Sequence, residues 1–480
     1  MTDVGNARIE VIKSIVEYSG IDIPAGMGLK GADGKEYSLF GIGSVLCAIP
    51  FYYLGELISD SPASAVSTMN QIAGAATAVL IFLFSLSLGY SRRASLYTAF
   101  SYGLGTFAFF YAKDPGDHAL EAFFVLSAIY FMYRFNGSKL KTHLILSACT
   151  FGFAFLTRPT SALIIPPLFL LMNLYNAPEQ KLKISMKSVF INTVIFLFAL
   201  LPFLSLSFWY NYSRFGSIFE TGYTLMQTRL GIDFFSGTPV INGLIGFLIS
   251  PGKGFFFYSP IAILFLFSIN AFRKKHKVLT YCIAWIIFSY LLFLSRNIYW
   301  HGDWAWGPRY IFVLTPFFII PCAEIFDSER LRKCSLIRKT VIILFAASVA
   351  IQISAASVHI YKYFVDLKYQ RNVPFTILSA DGTPSIYEPS PETHFDWRLS
   401  PIKAQLGFIY EIGLDMGKYT DNVPNSKNRY ETEPWMHLYD FWWLYQFCVG
   451  KNSSGLYAAG ALVIIALVAL SRLSRLVFQE

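Results

Sequence analysis

The chain predicts an all-α polytopic membrane protein, a bundle of about 11 transmembrane helices with a polar face built from its external loops. Composition is the first reason: 54% apolar, 18% aromatic and only 14% charged residues, with mean hydropathy +0.47, is far from a soluble globular profile. The second is the set of apolar runs, 66–90, 94–112, 119–134, 142–157, 160–175, 188–210, 254–272, 278–295, 308–326, 340–357 and 455–471, most of them long enough to cross about 30 Å of hydrocarbon. The third is where the cations fall. Short loops at 91–93, 134–141, 179–187, 272–277, 328–339 and 471–475 hold 19 of the 39 Lys and Arg, and strict alternation of the runs puts every one on the same face. Cytoplasmic loops carry the excess of positive charge, so that face is cytoplasmic. The net charge of +9 then reflects topology, which removes the main argument for a nucleic-acid partner.

Taken in order, the N-terminal 1–65 falls on the non-cytoplasmic side and opens with a helix-like "VGNARIEVIKSIVE" without the basic and apolar regions of a signal peptide. The run 42–58 contains Pro50 and Glu56 and is expected to lie in the outer interface. The segments 113–118, 211–253, 296–307 and 358–454 share that outer side and carry the unusual residues. Six scattered cysteines show neither metal-ligand spacing nor a disulfide framework.

In "YAKDPGDHALEAFF" the residues Asp114, Asp117, His118 and Glu121 crowd between two apolar runs. Carboxylates at a helix start can cap it, and they can equally face a ligand. One imidazole and two acids make a weak divalent-cation set, so no cofactor is expected. Arg158, in "FLTRPTS", ends an apolar run; a cation there either binds an anionic partner, for which a lipid phosphate is suitable, or snorkels to the interface. "WHGDWAWGPRY" (300–310) offers Trp300, Trp304 and Trp306 as a sugar platform or an interfacial belt. His301 and Asp303 are hydrogen-bonding candidates there, and Arg309 sits in the first turn of the next helix, where N–H groups also attract anions. In the long 211–260 segment, "LIGFLIS" is too short to span and Lys253 is a candidate lipid contact or an interfacial lysine. The 362–454 stretch, with nine Lys/Arg against eleven Asp/Glu, reads as an external insertion, and 434–447 as an aromatic interfacial helix.

The ordered set "TDVGNARIEVIKSIVEYSGIDIP", "YAKDPGDHALEAFFVLSAIYFMYR", "FGFAFLTRPTSALIIPP", "NYSRFGSIFETGY" and "WHGDWAWGPRYIFVLTPFFIIP" resembles the bacterial polyprenyl-phosphate-sugar-dependent glycosyltransferases of the GT-C fold, relatives of the protein O-mannosyltransferases. The resemblance runs from Asp3 to about Tyr361. It implies a GT-C-like transmembrane catalytic domain over 1–361 that lacks its first transmembrane helix, an external insertion over 362–454, and a final helix with a cytoplasmic tail over 455–480. It also implies transfer, inverting or retaining, from a polyprenyl-phosphate sugar donor to a glycan, lipid or protein acceptor outside a bacterial inner membrane. By position it makes Asp3 the catalytic base, with Asp114 and Asp117 in a shared site, and His118, Glu121, Arg158, His301, Asp303 and Arg309 around the substrate. A transporter or flippase would concentrate polar residues at the midplane in repeated halves, whereas here they gather in external loops. A degenerate, non-catalytic relative is the other alternative, favoured by the missing first helix.

Overall fold

The computed structural model describes residues 3–58, 62–114, 116–173, 186–231, 233–235, 239–302, 304–378, 386–415 and 433–478. Helices of eight or more residues are numbered here. The first, α1 (Asp3–Tyr18), is amphipathic: Ala7, Val11 and Ile12 recur at helical spacing and are buried. A small antiparallel sheet follows, β1 (Asp22–Ile23) and β2 (Leu29–Lys30) flanking β3 (Glu36–Tyr37). It leads into α2 (Gly43–Ile58), which accommodates Pro50 and falls outside the segments long and apolar enough to span.

The bundle proper is α3 (Pro62–Ser87), α4 (Arg92–Gly105), α5 (His118–Ser138), α6 (Lys141–Thr157), α7 (Ile165–Asn173) and α8 (Met186–Phe215). Then come α9 (Tyr223–Leu230), α10 (Val240–Ile249), α11 (Leu264–Lys275), α12 (Lys277–Leu294), α13 (Ser335–Ser357), α14 (Pro401–Asp415) and α15 (Ser454–Phe478). Among the described residues, six segments are long and apolar enough to cross a membrane: Ala65–Ser87, Met186–Phe215, Lys277–Leu294, Arg309–Phe326, Ser335–Ser357 and Ser454–Arg472. The chain is a mostly helical membrane protein. The other apolar runs are also helical, but several are interrupted: 94–112 breaks after Gly105, and 254–272 is divided at Ser259 and Pro260. The count of about 11 spans is therefore not confirmed. The basic segment 179–187 lies largely outside the described residues.

Helix α5 is the hub, packed against α3 and α6, while α6 in turn packs on α8. Buried hydroxyls and amides tie the bundle, as membrane helices use them: Ser147 donates to the Ala128 carbonyl at 2.8 Å, and Gln352 donates to the Tyr258 carbonyl at 2.6 Å. One close approach positions the site. The start of α2 lies so near the end of α6 that a Cβ on Gly43 would meet the Thr157 nitrogen at 2.5 Å. That contact places the N-terminal segment beside Arg158.

Three expectations need correction. The 434–447 stretch is not one helix: a short turn at Pro434–Met436 is separated from the helix Trp442–Cys448, with Tyr439 and Phe441 between them in extended or irregular backbone. Trp300 and Trp306 form neither a sugar platform nor an interfacial belt. Trp306 and Trp300 are buried, Trp306 edge-on to Tyr258 at 4.7 Å and Trp300 to Phe247 at 5.7 Å, and Trp304 stacks on Phe364 at 4.7 Å. Trp300 and Trp304 also pack the loop onto the 360–400 region, against His394 and Phe364, while Trp306 packs inward on Tyr258 and Phe110; the large rings bury more area this way than by facing solvent. Lys253 is likewise buried and donates to the Ala305 carbonyl at 2.6 Å, so it is a loop tie and not a lipid contact.

Candidate functional site

The end of α6, the loop before α5, residues 39–42 ahead of α2, the end of α8 and residues of the 221–235 segment enclose a cavity of about 550 Å³. At its wall stands Asp117, the residue before the first turn of α5, buried to 2% exposure. It does not cap α5 through its side chain. Instead its two oxygens take two different guanidiniums: Oδ2 pairs with Arg8 Nη2 at 2.7 Å, and Oδ1 accepts from Arg158 Nε at 2.9 Å. Burial alone would push this carboxyl up, but Arg158 and Arg8 outweigh it and hold Asp117 well below the ordinary carboxylate range.

Arg158 can stand here because α6 ends at Thr157 and Pro159 starts a new turn, which leaves its backbone extended and its side chain free to swing toward Asp117. Its second carboxylate, Glu121, lies one turn into α5 at 3.6 Å and also receives Thr160 and Tyr290 hydroxyls, each at 3.4 Å. The sequence left a choice between a phosphate partner and snorkelling; Arg158 is instead ion-paired, yet its side chain is 22% exposed and lines the cavity. Its Nη2 lies 3.5 Å from His118 Nε2. His118 is buried edge-on against Tyr111 at 5.4 Å, and its Nδ1 has no hydrogen-bond partner.

Asp114 sits on the same loop, half-buried, its Oδ1 accepting from the Gly116 N–H at 2.6 Å. Burial raises its pKa, opposed by the Gly116 N–H and by the charges of Arg309 and Arg8. Asn70 braces this loop by donating to the carbonyls of Asp114 and Gly116. Arg309 reaches the same neighbourhood from the far side, its guanidinium 5.0 Å from the Tyr310 ring centre and its Nη2 3.3 Å from the Tyr310 hydroxyl. Gly302, at φ +72, makes room for it: a Cβ there would meet Arg309 Cγ at 2.8 Å. Tyr310 itself lines the cavity.

The candidate residues thus divide. Asp117, His118, Glu121 and Arg158 form one cluster, with Asp114 and Arg309 beside it. His301 stands elsewhere, buried against His394 of the 362–454 region with ring centres 4.6 Å apart. Asp3 opens α1, but its side chain lies outside the described residues, as does Asp303 entirely. Sequence reasoning missed Arg8. Its signal was legible: it shares the buried stripe of α1 with Val11 and Ile12, where a cation needs a partner. Among the described residues no group of three or more His, Cys, Asp or Glu is arranged to hold a metal ion.

Comparison with known proteins bears on this cluster directly. Residues 51–209, about a third of the chain, match the family model described as dolichyl-phosphate-mannose-protein mannosyltransferase. The sequence resemblance is therefore upheld over the segment that holds Asp114, Asp117, His118, Glu121 and Arg158. No curated protein matches. Among solved structures, the chain is similar to ArnT from Cupriavidus metallidurans bound to undecaprenyl phosphate, at 13% identity and TM-score 0.46, covering 91% of this chain and 80% of that one. It is also similar to the oligosaccharyltransferase AglB from Archaeoglobus fulgidus, in complex with an inhibitory peptide and a dolichol-phosphate, at 11% identity and TM-score 0.45. It covers 78% of this chain but only 54% of AglB, so the chain spans about half the length of that protein.

Proposed function

We propose that this chain is a membrane glycosyltransferase that moves a sugar from a polyprenyl-phosphate-linked donor to an acceptor on the non-cytoplasmic side, in a bacterial inner membrane. The observation that carries the proposal is the cavity ending at Asp117 and Arg158, inside the stretch matched by the mannosyltransferase family model. That cavity has two characters. Phe155, Leu163, Phe293 and Leu294 are among its apolar lining residues, and Asn211, Tyr223 and Gln227 among its polar ones, with Arg158 at the wall. A lipid-phosphate sugar has the same sequence of parts: apolar tail, anion, polar ring.

The chemistry follows from charge. The donor's phosphodiester carries one negative charge; when the bond from the sugar's anomeric carbon to the phosphate oxygen breaks, the electron pair stays on the phosphate, which approaches two. The acceptor oxygen forms the new bond to the anomeric carbon and loses its proton. A guanidinium at the phosphate therefore gains most in the transition state, and that differential is what accelerates the step. Arg158 is our choice for this contact, supported by its place on the cavity wall, with Arg309 second. For the proton, Asp117 is a poor base because its partners keep its pKa low; it is better suited to hold Arg158 in place. Asp114, whose proton affinity burial raises, is the stronger base candidate among the described side chains, and Asp3 is retained as the position the resemblance indicates. Residues 362–454 are read as the external insertion covering this face and 455–480 as the last span and cytoplasmic tail.

Comparing surface glycans and lipid-linked sugars of a deletion strain with its parent tests the function. Loss of one sugar from an envelope glycan, lipid or protein, with accumulation of its polyprenyl-phosphate form, is expected. Unchanged profiles in both fractions would contradict it.

A further inference from the structure

We infer that the eight-residue helix α9 is the sugar-reading element of this site, with Tyr223, Thr224 and Gln227 contacting the ring of the donor sugar. The inference rests on the glycosyltransferase reading and deepens it. If Arg158 meets the phosphate, the sugar lies one bond away, within reach of the polar groups of the lining. Helix α9 supplies three of them, Tyr223, Thr224 and Gln227, beside Asn211 and Arg214 of α8.

The helix is built to hold them there. Glycines in the left-handed region bound it, Gly222 at φ 91 and Gly231 at φ 64, so the chain turns sharply into and out of a single short helix. Leu230 is buried against Phe234 and Tyr299, with Met226 packed on the same cluster, which anchors one stripe. Tyr223 and Gln227 are one turn apart on the adjacent stripe and face the cavity together. Asp233 accepts from Gln227 Nε2 at 3.2 Å, which fixes the amide and turns its oxygen away from that carboxylate, as an acceptor for a sugar hydroxyl. Tyr223 lines the cavity together with Arg158 and Asp117.

The chemistry of this wall selects a class. None of the three side chains is charged, and the one cation of α9, Arg229, donates to the Gly28 carbonyl at 3.2 Å and does not line the cavity. A neutral ring with hydroxyls to give and accept satisfies such a wall; the charged groups nearby are already engaged, Asp117 by Arg8 and Arg158, Arg214 by Ser38 and Asn211, and Asp233, which holds Gln227, is not part of the lining, so a free ammonium or carboxylate on the ring would meet three neutral side chains.

The test uses purified full-length protein and three synthetic donors of equal polyprenyl length, carrying mannose, a hexosamine with a free amine, or a hexuronic acid. Sugar-free polyprenyl phosphate serves as competitive inhibitor to report the phosphate contact separately. Wild-type protein is expected to prefer the mannosyl donor. Gln227→Ala and Thr224→Ala are each expected to raise its KM about tenfold, the effect of one lost hydrogen bond, with inhibition by polyprenyl phosphate within about twofold of wild type. Gln227→Glu is expected to shift the ratio of kcat/KM toward the amino-sugar donor by about tenfold. Unchanged KM and unchanged donor ratio in all three variants, while Arg158→Ala is inactive, would overturn the assignment of α9 and leave the transferase reading standing. Equal weakening of polyprenyl phosphate inhibition would also overturn it, since α9 would then serve the phosphate or the fold. Absence of turnover by wild type on every donor would overturn both readings.

Discussion

Arg8 and Arg158 approach Asp117 from opposite directions, one from an N-terminal helix and one from the break between α6 and the turn at Pro159. A buried carboxylate flanked by two cations stays charged, so protonation in the folded protein is disfavoured. Its folded pKa lies below the unfolded one, so the stability it contributes is full above the unfolded value, about 4, and is lost as pH falls from there through the folded pKa. Thermal melts in detergent should therefore show an acid-side decline below about pH 4 that Asp117→Asn flattens. Arg8→Ala removes one of the two buried cations on Asp117 and leaves Arg158, so it should cost about 1–3 kcal/mol, read as a lower melting temperature at neutral pH. Asp114 runs the other way: as a base its charged form disappears as pH falls through a pKa raised above the ordinary aspartate range. Transfer should fall on the acid side at a pH above that range, and Asp114→Asn should abolish transfer while the fold persists. Asp117 and Arg158 were legible in the sequence because polar residues interrupt apolar runs there. Their pairing with Arg8 was not, because it joins positions far apart in the chain. The burial of Trp300 and Trp306 was hidden for a similar reason: the rings that cover Trp300, such as His394 and Phe395, and those that cover Trp306, Phe110 and Tyr258, come from distant parts of the chain whose docking no local pattern announces.

Helix ends do much of the positioning. The contact between the start of α2 and the end of α6 depends on the missing side chain at Gly43, with backbone on the other side that cannot move aside cheaply. Gly43→Ala should cost about 1–3 kcal/mol and also lower transfer, because it pushes the N-terminal segment away from Arg158; a variant with wild-type melting and wild-type activity would contradict that arrangement. Helix existence was well marked by the long apolar runs. Continuity was not: hydropathy averages over a break, so the interruptions after Gly105 and at Ser259–Pro260 stay invisible to it even though Gly and Pro mark both. The helical character of α1 and the shortness of α10 were both readable, the first from its periodic apolar stripe and the second from the short apolar run "LIGFLIS".

At the scale of the whole molecule, the bundle places every residue of the charged cluster at the ends of helices, on the side opposite the basic loops. That asymmetry is what the cost of burying charge in hydrocarbon produces, and it is expected where the basic loops are retained in the cytoplasm. Reporter enzymes fused at Asn452 and at Glu480 should report opposite sides of the membrane, because α15 lies between them. The most direct measurement of the central claim is single-enzyme turnover: purified protein in nanodiscs, given a labelled polyprenyl-phosphate sugar and an envelope acceptor fraction, with release of polyprenyl phosphate followed over time. Wild-type protein should release polyprenyl phosphate and transfer the label. Arg158→Ala should reduce turnover by about a hundredfold or more, the scale of losing a charge-assisted contact in the transition state. Arg158→Lys should recover part of it, since an ammonium keeps the charge but not the planar fork. Arg273→Ala, at the end of α11 on the basic-loop side, should leave turnover nearly unchanged. Near-normal turnover by a folded Arg158→Ala protein would contradict the account.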